Sequence, residues 1–179
     1  MLSSAVVFDG QVLAEPATAP YPGSSREEYA TGGAAGTGWR ELAAELKRRG
    51  AHGHVVAAWY EGVSEALSLL LRDEPNVAIV RGQPGSTGPE ASADYVVQNG
   101  TPLPAEHGLG SIRPVWTFHR PDGGVPIVLY RRGVAWGGRF YATPDELRTG
   151  LGLSDREFDQ FIAAHPQIRA WYVAVSSRG

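Results

Sequence analysis

The run Gly32-Gly33-Ala34-Ala35-Gly36-Thr37-Gly38 leads directly into an amphipathic segment that starts at Trp39. Backbone N–H groups at the start of a helix are unpaired and lie at the positive end of its dipole, so a glycine-rich lead into a helix suits an anion. Gly36, Thr37 and Gly38 are therefore the candidate residues for a phosphorylated ligand. Two parts of a P-loop are missing. Such a loop follows a buried strand, which Arg26–Thr31 does not resemble, and no Lys-Ser/Thr pair closes the run. A purely structural glycine turn accounts for the same residues.

Other chemistry is thinly supported. Of the five histidines, His52, His54, His107, His119 and His165, only the first two are close. No carboxylate stands at ligand spacing from them, so no metal site is expected. His119 and Asp122 read as a solvated pair beside a turn. No Gly-x-Ser-x-Gly elbow occurs, since Gly85-Ser86-Thr87-Gly88 lacks the pattern. Asp73, Glu74, Asp155 and Glu157 fall at helix ends, where backbone amides or solvent explain them. No catalytic residue and no cofactor is assigned from these patterns. The aromatic side chains from Trp59 to Tyr172 lie mostly on predicted strands and read as sheet packing before they read as sugar platforms.

The C-terminal part has sharper local signals. Thr143-Pro144-Asp145-Glu146 and Ser154-Asp155-Arg156-Glu157 are capping boxes, the first with proline at the first helical position. Leu147, Leu151, Leu153, Phe158 and Ile162 follow the spacing of a helix-turn-helix. The second helix would turn Asp155, Glu157 and Asp159 toward a polyanion, and that repulsion argues against nucleic acid. The pair reads instead as a helical cap, with Thr143–Pro166 as the surface a protein partner would use.

The elements that must position these residues follow from periodicity. Trp39–Arg49 is an amphipathic helix through Trp39, Leu42, Ala43 and Leu46. His54–Tyr60 and Asn76–Val80 are apolar runs on either side of a helix over Ser64–Arg72, which predicts a parallel crossover. Ala93–Gln98 is a further strand, and Pro114–His119 with Val125–Tyr130 flank Arg120-Pro121-Asp122-Gly123-Gly124 as a hairpin. After it come a short strand at Arg139–Ala142, two short helices and a last strand near Ile168–Val175. The expected fold is α/β, a small mostly parallel sheet with helices, extended by the antiparallel hairpin and a C-terminal helical pair. Residues 1–133 would form the α/β domain. Residues 134–179 would form the pair and final strand, packed on the same core.

The 179 residues suffice for one domain with a proper core. A formal net charge of −3 gives no general attraction to nucleic acid or an anionic membrane. The absence of cysteine excludes disulfides and thiolate sites. Apolar runs fall far short of the ~20 residues of a membrane helix, and the segment Met1–Val7 lacks the features of a secretory signal. As written, the chain is expected to be soluble, with a cytoplasmic address if it stands alone.

One resemblance carries a functional implication. Phe8-Asp9, Val12-Leu13, Glu15-Pro16, Ala19-Pro20 and Pro22 are followed by Tyr29, Gly32, Gly36, Gly38 and Glu41. This series resembles the segment after the last membrane helix in bacterial polytopic glycosyltransferases of the dolichyl-phosphate-mannose protein mannosyltransferase type. The similarity extends through Ala93–Asn99 and Val125–Arg131. It implies an extracytoplasmic soluble domain that positions an acceptor, a sugar or a lipid carrier beside a membrane glycosyltransferase. The catalytic carboxylate of that family lies between membrane helices, so the implied role is an accessory, non-catalytic one. The matched glycines are turn-formers, and the resemblance assigns no functional residue.

Overall fold

The computed structural model describes residues 37–51, 55–59, 65–81, 93–99, 111–120 and 123–176. Their order is α1 (Trp39–Gly50), β1 (Val55–Trp59), α2 (Glu65–Leu70), β2 (Val77–Arg81), β3 (Tyr95–Asn99), β4 (Ser111–Phe118), β5 (Ile127–Trp136), β6 (Arg139–Tyr141), α3 (Pro144–Leu151), α4 (Asp155–Ala164) and α5 (Pro166–Ser176).

The strands form one sheet in the order β2-β1-β3-β5-β4, with β6 paired to β5 off that path. The β1–β2 and β1–β3 pairings are parallel, while β3–β5, β4–β5 and β5–β6 are antiparallel. The expected mostly parallel sheet is therefore overturned. The reason is β5, a ten-residue strand antiparallel to all three of its neighbours. An apolar run has the same pattern in either direction, so the periodicity of Ala93–Gln98 says nothing about which partner it joins, or with what polarity.

The β4–β5 hairpin is longer than its sequence signal, with eight residues between Phe118 and Ile127. The turn centre expected there, Pro121-Asp122, lies outside the described residues. A register shift between Pro114 and Trp116 marks a bulge in β4. Pro114 lacks an N–H for the ladder, which is the kind of position where edge strands tolerate proline.

The largest correction is at the C-terminus, where the expected strand near Ile168–Val175 is helix α5. Its β-branched and aromatic content suggests a strand, but Pro166 fixes φ at the first helical position. Helical spacing then turns Ile168 and Trp171 inward together, with Tyr172 and Val175 partly covered beside them. The helical pair is thus a trio, and no strand closes that edge among the described residues.

Two apolar clusters result. In the first, Trp39, Leu42, Ala43 and Leu46 of α1 and Leu67 and Leu71 from α2 and the turn after it lie over Tyr95, Val97, Ile127 and Leu129. Cross-strand partners share a face, so the pairs Tyr95–Arg131, Val97–Leu129 and Asn99–Ile127 put α1 and α2 on one side of the sheet. The second cluster gathers Val134 and Tyr141 with Leu147, Phe158, Ile162, Ile168 and Trp171. Strand β5 passes through both: Ile127 and Leu129 belong to the first, Val134 to the second. Among the described residues, no helix is long and apolar enough to cross a membrane.

Candidate functional site

Helix α1 starts on glycine for two reasons. Gly38, the N-cap, has φ +97°, a left-handed conformation that side chains disfavour. A Cβ there would also lie 2.6 Å from Phe118 Cδ1 and 2.8 Å from Ile127 Cδ1. The bare backbone can therefore sit directly on the end of the β4–β5 hairpin. One consequence is that no side chain caps the helix. The amide of Leu42 is the one that bonds back to the Gly38 carbonyl, at 3.0 Å, which leaves the amides of Arg40 and Glu41 ahead of it outside the helical ladder.

The hairpin delivers a cation to this place. Arg120 is 3% exposed, and its Nε donates to the Thr37 carbonyl at 3.2 Å while Nη1 donates to the Val125 carbonyl. Its Nη2 has no hydrogen-bond partner, and neither has the buried Thr37 Oγ1. Burial pushes the Arg120 guanidinium below its ordinary pKa, because the charged form loses its hydration. Nη2 lies on the same edge of the planar guanidinium as Nε, so its free N–H points the same way as the bond to Thr37. Both unpartnered groups therefore lie beside Thr37, the residue just before the N-cap of α1.

The arginines near the other end of α1 have counter-charges. At its C-terminal end Arg49 pairs with Glu45 at 2.6 Å, and Arg131 approaches Asp94 at 3.6 Å. Both guanidiniums lie over the Tyr95 ring, 4.9 and 4.7 Å from its centroid. The hydrogen bond from Arg48, opposed by desolvation and helped by Arg49, holds the Glu45 carboxyl below its usual range. Arg120 differs in having only neutral carbonyls as partners among the described residues.

Of the residues predicted to contact a phosphorylated ligand, Thr37 and Gly38 stand at the start of α1, and Gly36 lies outside the described residues. Arg120 was missed. It precedes Pro121-Asp122-Gly123-Gly124 and reads in sequence as an ordinary solvated turn residue, while the fold buries it. Among the described residues no group of three or more histidine, cysteine, aspartate or glutamate side chains could hold a metal. His52, His54 and His107 lie outside them. His165 is a packing residue: its Nδ1–H donates to the Phe161 carbonyl at 2.7 Å, and its ring lies 4.6 Å from Trp136 and 4.3 Å from Phe161. At the junction of α3 and α4, Asp145 and Asp155 are almost fully exposed and Arg148 bridges them.

No family model, no curated protein and no solved structure matches this chain.

Proposed function

We propose that the chain is a non-catalytic binding domain of the kind that accompanies bacterial dolichyl-phosphate-mannose protein mannosyltransferase-type membrane glycosyltransferases. In this reading it acts on the extracytoplasmic side and positions a sugar, an acceptor or a lipid carrier for that enzyme. One observation supports it above the rest. The described end of the first segment of the resemblance adjoins β5, and the other two segments, separated from it by dozens of residues, pair with each other. Gly38 and Leu42 at the start of α1 pack on Ile127 and Leu129 of β5, and β5 is paired in register with β3.

The test is binding together with the lack of turnover. The purified chain is expected to float with phosphatidylcholine vesicles carrying a polyprenyl-phosphate mannose, and to transfer no mannose from them to a peptide acceptor. Mannose transfer by the chain alone would overturn the non-catalytic role. Failure to bind the vesicles, free mannose or a membrane glycosyltransferase would remove the reading altogether.

A further inference from the structure

We propose that the first turn of α1, together with Arg120, is a binding site for a phosphate group, held by the Arg120 guanidinium edge, the Thr37 hydroxyl and the amides of Arg40 and Glu41. The site stands on its own geometry. Only a lipid-borne source of the phosphate rests on the glycosyltransferase reading.

Positive charges add up at this place. A helix N-terminus is equivalent to about half a positive charge, and the hairpin adds a full one beside it. Folding a cation onto the positive end of a helix, and burying it, is unfavourable unless a negative group completes the arrangement. Arg49 and Arg131 have Glu45 and Asp94 for that purpose. Arg120 has the Thr37 and Val125 carbonyls, which orient the guanidinium without neutralising it. Glu41, the acid of the first turn, is exposed.

The donors also suit a tetrahedral oxyanion. The guanidinium offers a free N–H on the edge facing Thr37, the hydroxyl offers a second donor, and successive amides at the helix start offer more. Each unpartnered buried donor leaves a desolvation cost unrecovered, and two orphans around one carbonyl indicate a shared acceptor. A P-loop supplies its cation from the helix itself. Here the cation comes from a hairpin eighty-three residues away, which explains why the Lys-Ser/Thr ending is absent without loss of the chemistry.

Titration of the isotopically labelled chain, followed by amide chemical shifts, tests this in two arms. One uses inorganic phosphate, and the other uses phosphatidylcholine vesicles doped with a polyprenyl phosphate. Phosphate is expected to shift the amides of Arg40 and Glu41. Thr37→Val should weaken binding about fivefold, the loss of one hydrogen bond, and Arg120→Leu by about tenfold or more. Thr37→Val removes an unpartnered hydroxyl and keeps the fold, so it decides the matter if Arg120→Leu does not fold. Shifts with phosphate but no vesicle binding would uphold the site and defeat its lipid-borne source. Vesicle binding that leaves Arg40 and Glu41 unmoved would overturn the site while that reading survives. Absence of shifts in both arms, or phosphate binding undiminished in Thr37→Val, would also overturn it.

Discussion

The two ends of β5 belong to regions built on different terms. In the α3–α5 region the starts of α3 and α4 are specified by their neighbours in sequence. The Glu146 amide donates to Thr143 Oγ1 at 3.2 Å, and the Ser154 amide donates to the Glu157 carboxylate at 2.9 Å. The three helices follow one another closely, and their apolar faces meet in one cluster. Around α1 the helix start has no side-chain cap, its N-cap glycine adopts a left-handed conformation, and a buried arginine arrives from another part of the chain. Local and global preferences agree at the starts of α3 and α4 and conflict at the start of α1. Such conflicts concentrate where a protein binds something, and that is the reason the start of α1, rather than the better-capped helical trio, is the candidate site.

The largest effects should come from the two clusters. Leu46→Ala and Leu147→Ala each empty a fully buried site and should cost about 2–5 kcal/mol. Because β5 contributes to both cores, each variant should lower one common unfolding transition, with tryptophan fluorescence and far-ultraviolet circular dichroism coinciding. Two separated transitions in Leu147→Ala would show that the regions unfold independently. Gly133→Ala probes the junction itself. Its Cβ would collide with the Tyr141 carbonyl and the Phe140 ring, at a cost of about 1–3 kcal/mol. Amide shifts should change along β6 while β3 is spared, and an unperturbed β6 would contradict the register.

Two threonines provide a sharper contrast. Thr143→Ala removes a working cap and should cost about 1 kcal/mol in denaturant unfolding. Thr37→Val removes a hydroxyl without a partner and should be neutral or stabilising, since replacing an unsatisfied buried group relieves its desolvation. Equal losses in the two variants would erase the distinction between the regions.

The smallest effect is on pH dependence. Glu45 is held low by Arg48 and Arg49, and Glu157 by the Ser154 hydroxyl and amide. A carboxyl with a depressed folded pKa contributes stability above its unfolded value, near 4.5, and loses that contribution as pH falls through the folded one. Stability should therefore decline below that value. Glu45→Gln should flatten the acid limb more than Glu157→Gln, whose carboxylate is fully exposed and screened. The reverse order would show that the α4 cap, not the α1 pair, carries the acid sensitivity.

Local signals were legible wherever their cause was local. Leu42 and Leu46 recur at helical spacing, so α1 could be read directly, as could the cap at Thr143 and the two strands around the hairpin. The segment Trp171-Tyr172-Val173-Ala174-Val175 misled because its composition favours a strand, while the cluster formed with Phe158 and Ile162 required a helix. Sheet polarity was hidden for a related reason, because Val96 and Val97 would be buried equally well against either neighbour. At the candidate site, Thr37 and Gly38 were visible as a glycine-led helix start. Arg120 was not, because a charged residue before a turn is ordinarily solvated.

The sequence by itself determined where α1, α3 and α4 begin, which faces are apolar, and that no thiol chemistry operates. Those are properties of neighbouring residues and of composition. The tertiary structure decided the pairing of β5 with three antiparallel neighbours, the helical state of α5, and the burial of Arg120 against the start of α1. Each of these depends on contacts between distant parts of the chain, and no pattern within a short window can encode a partner that only folding brings near.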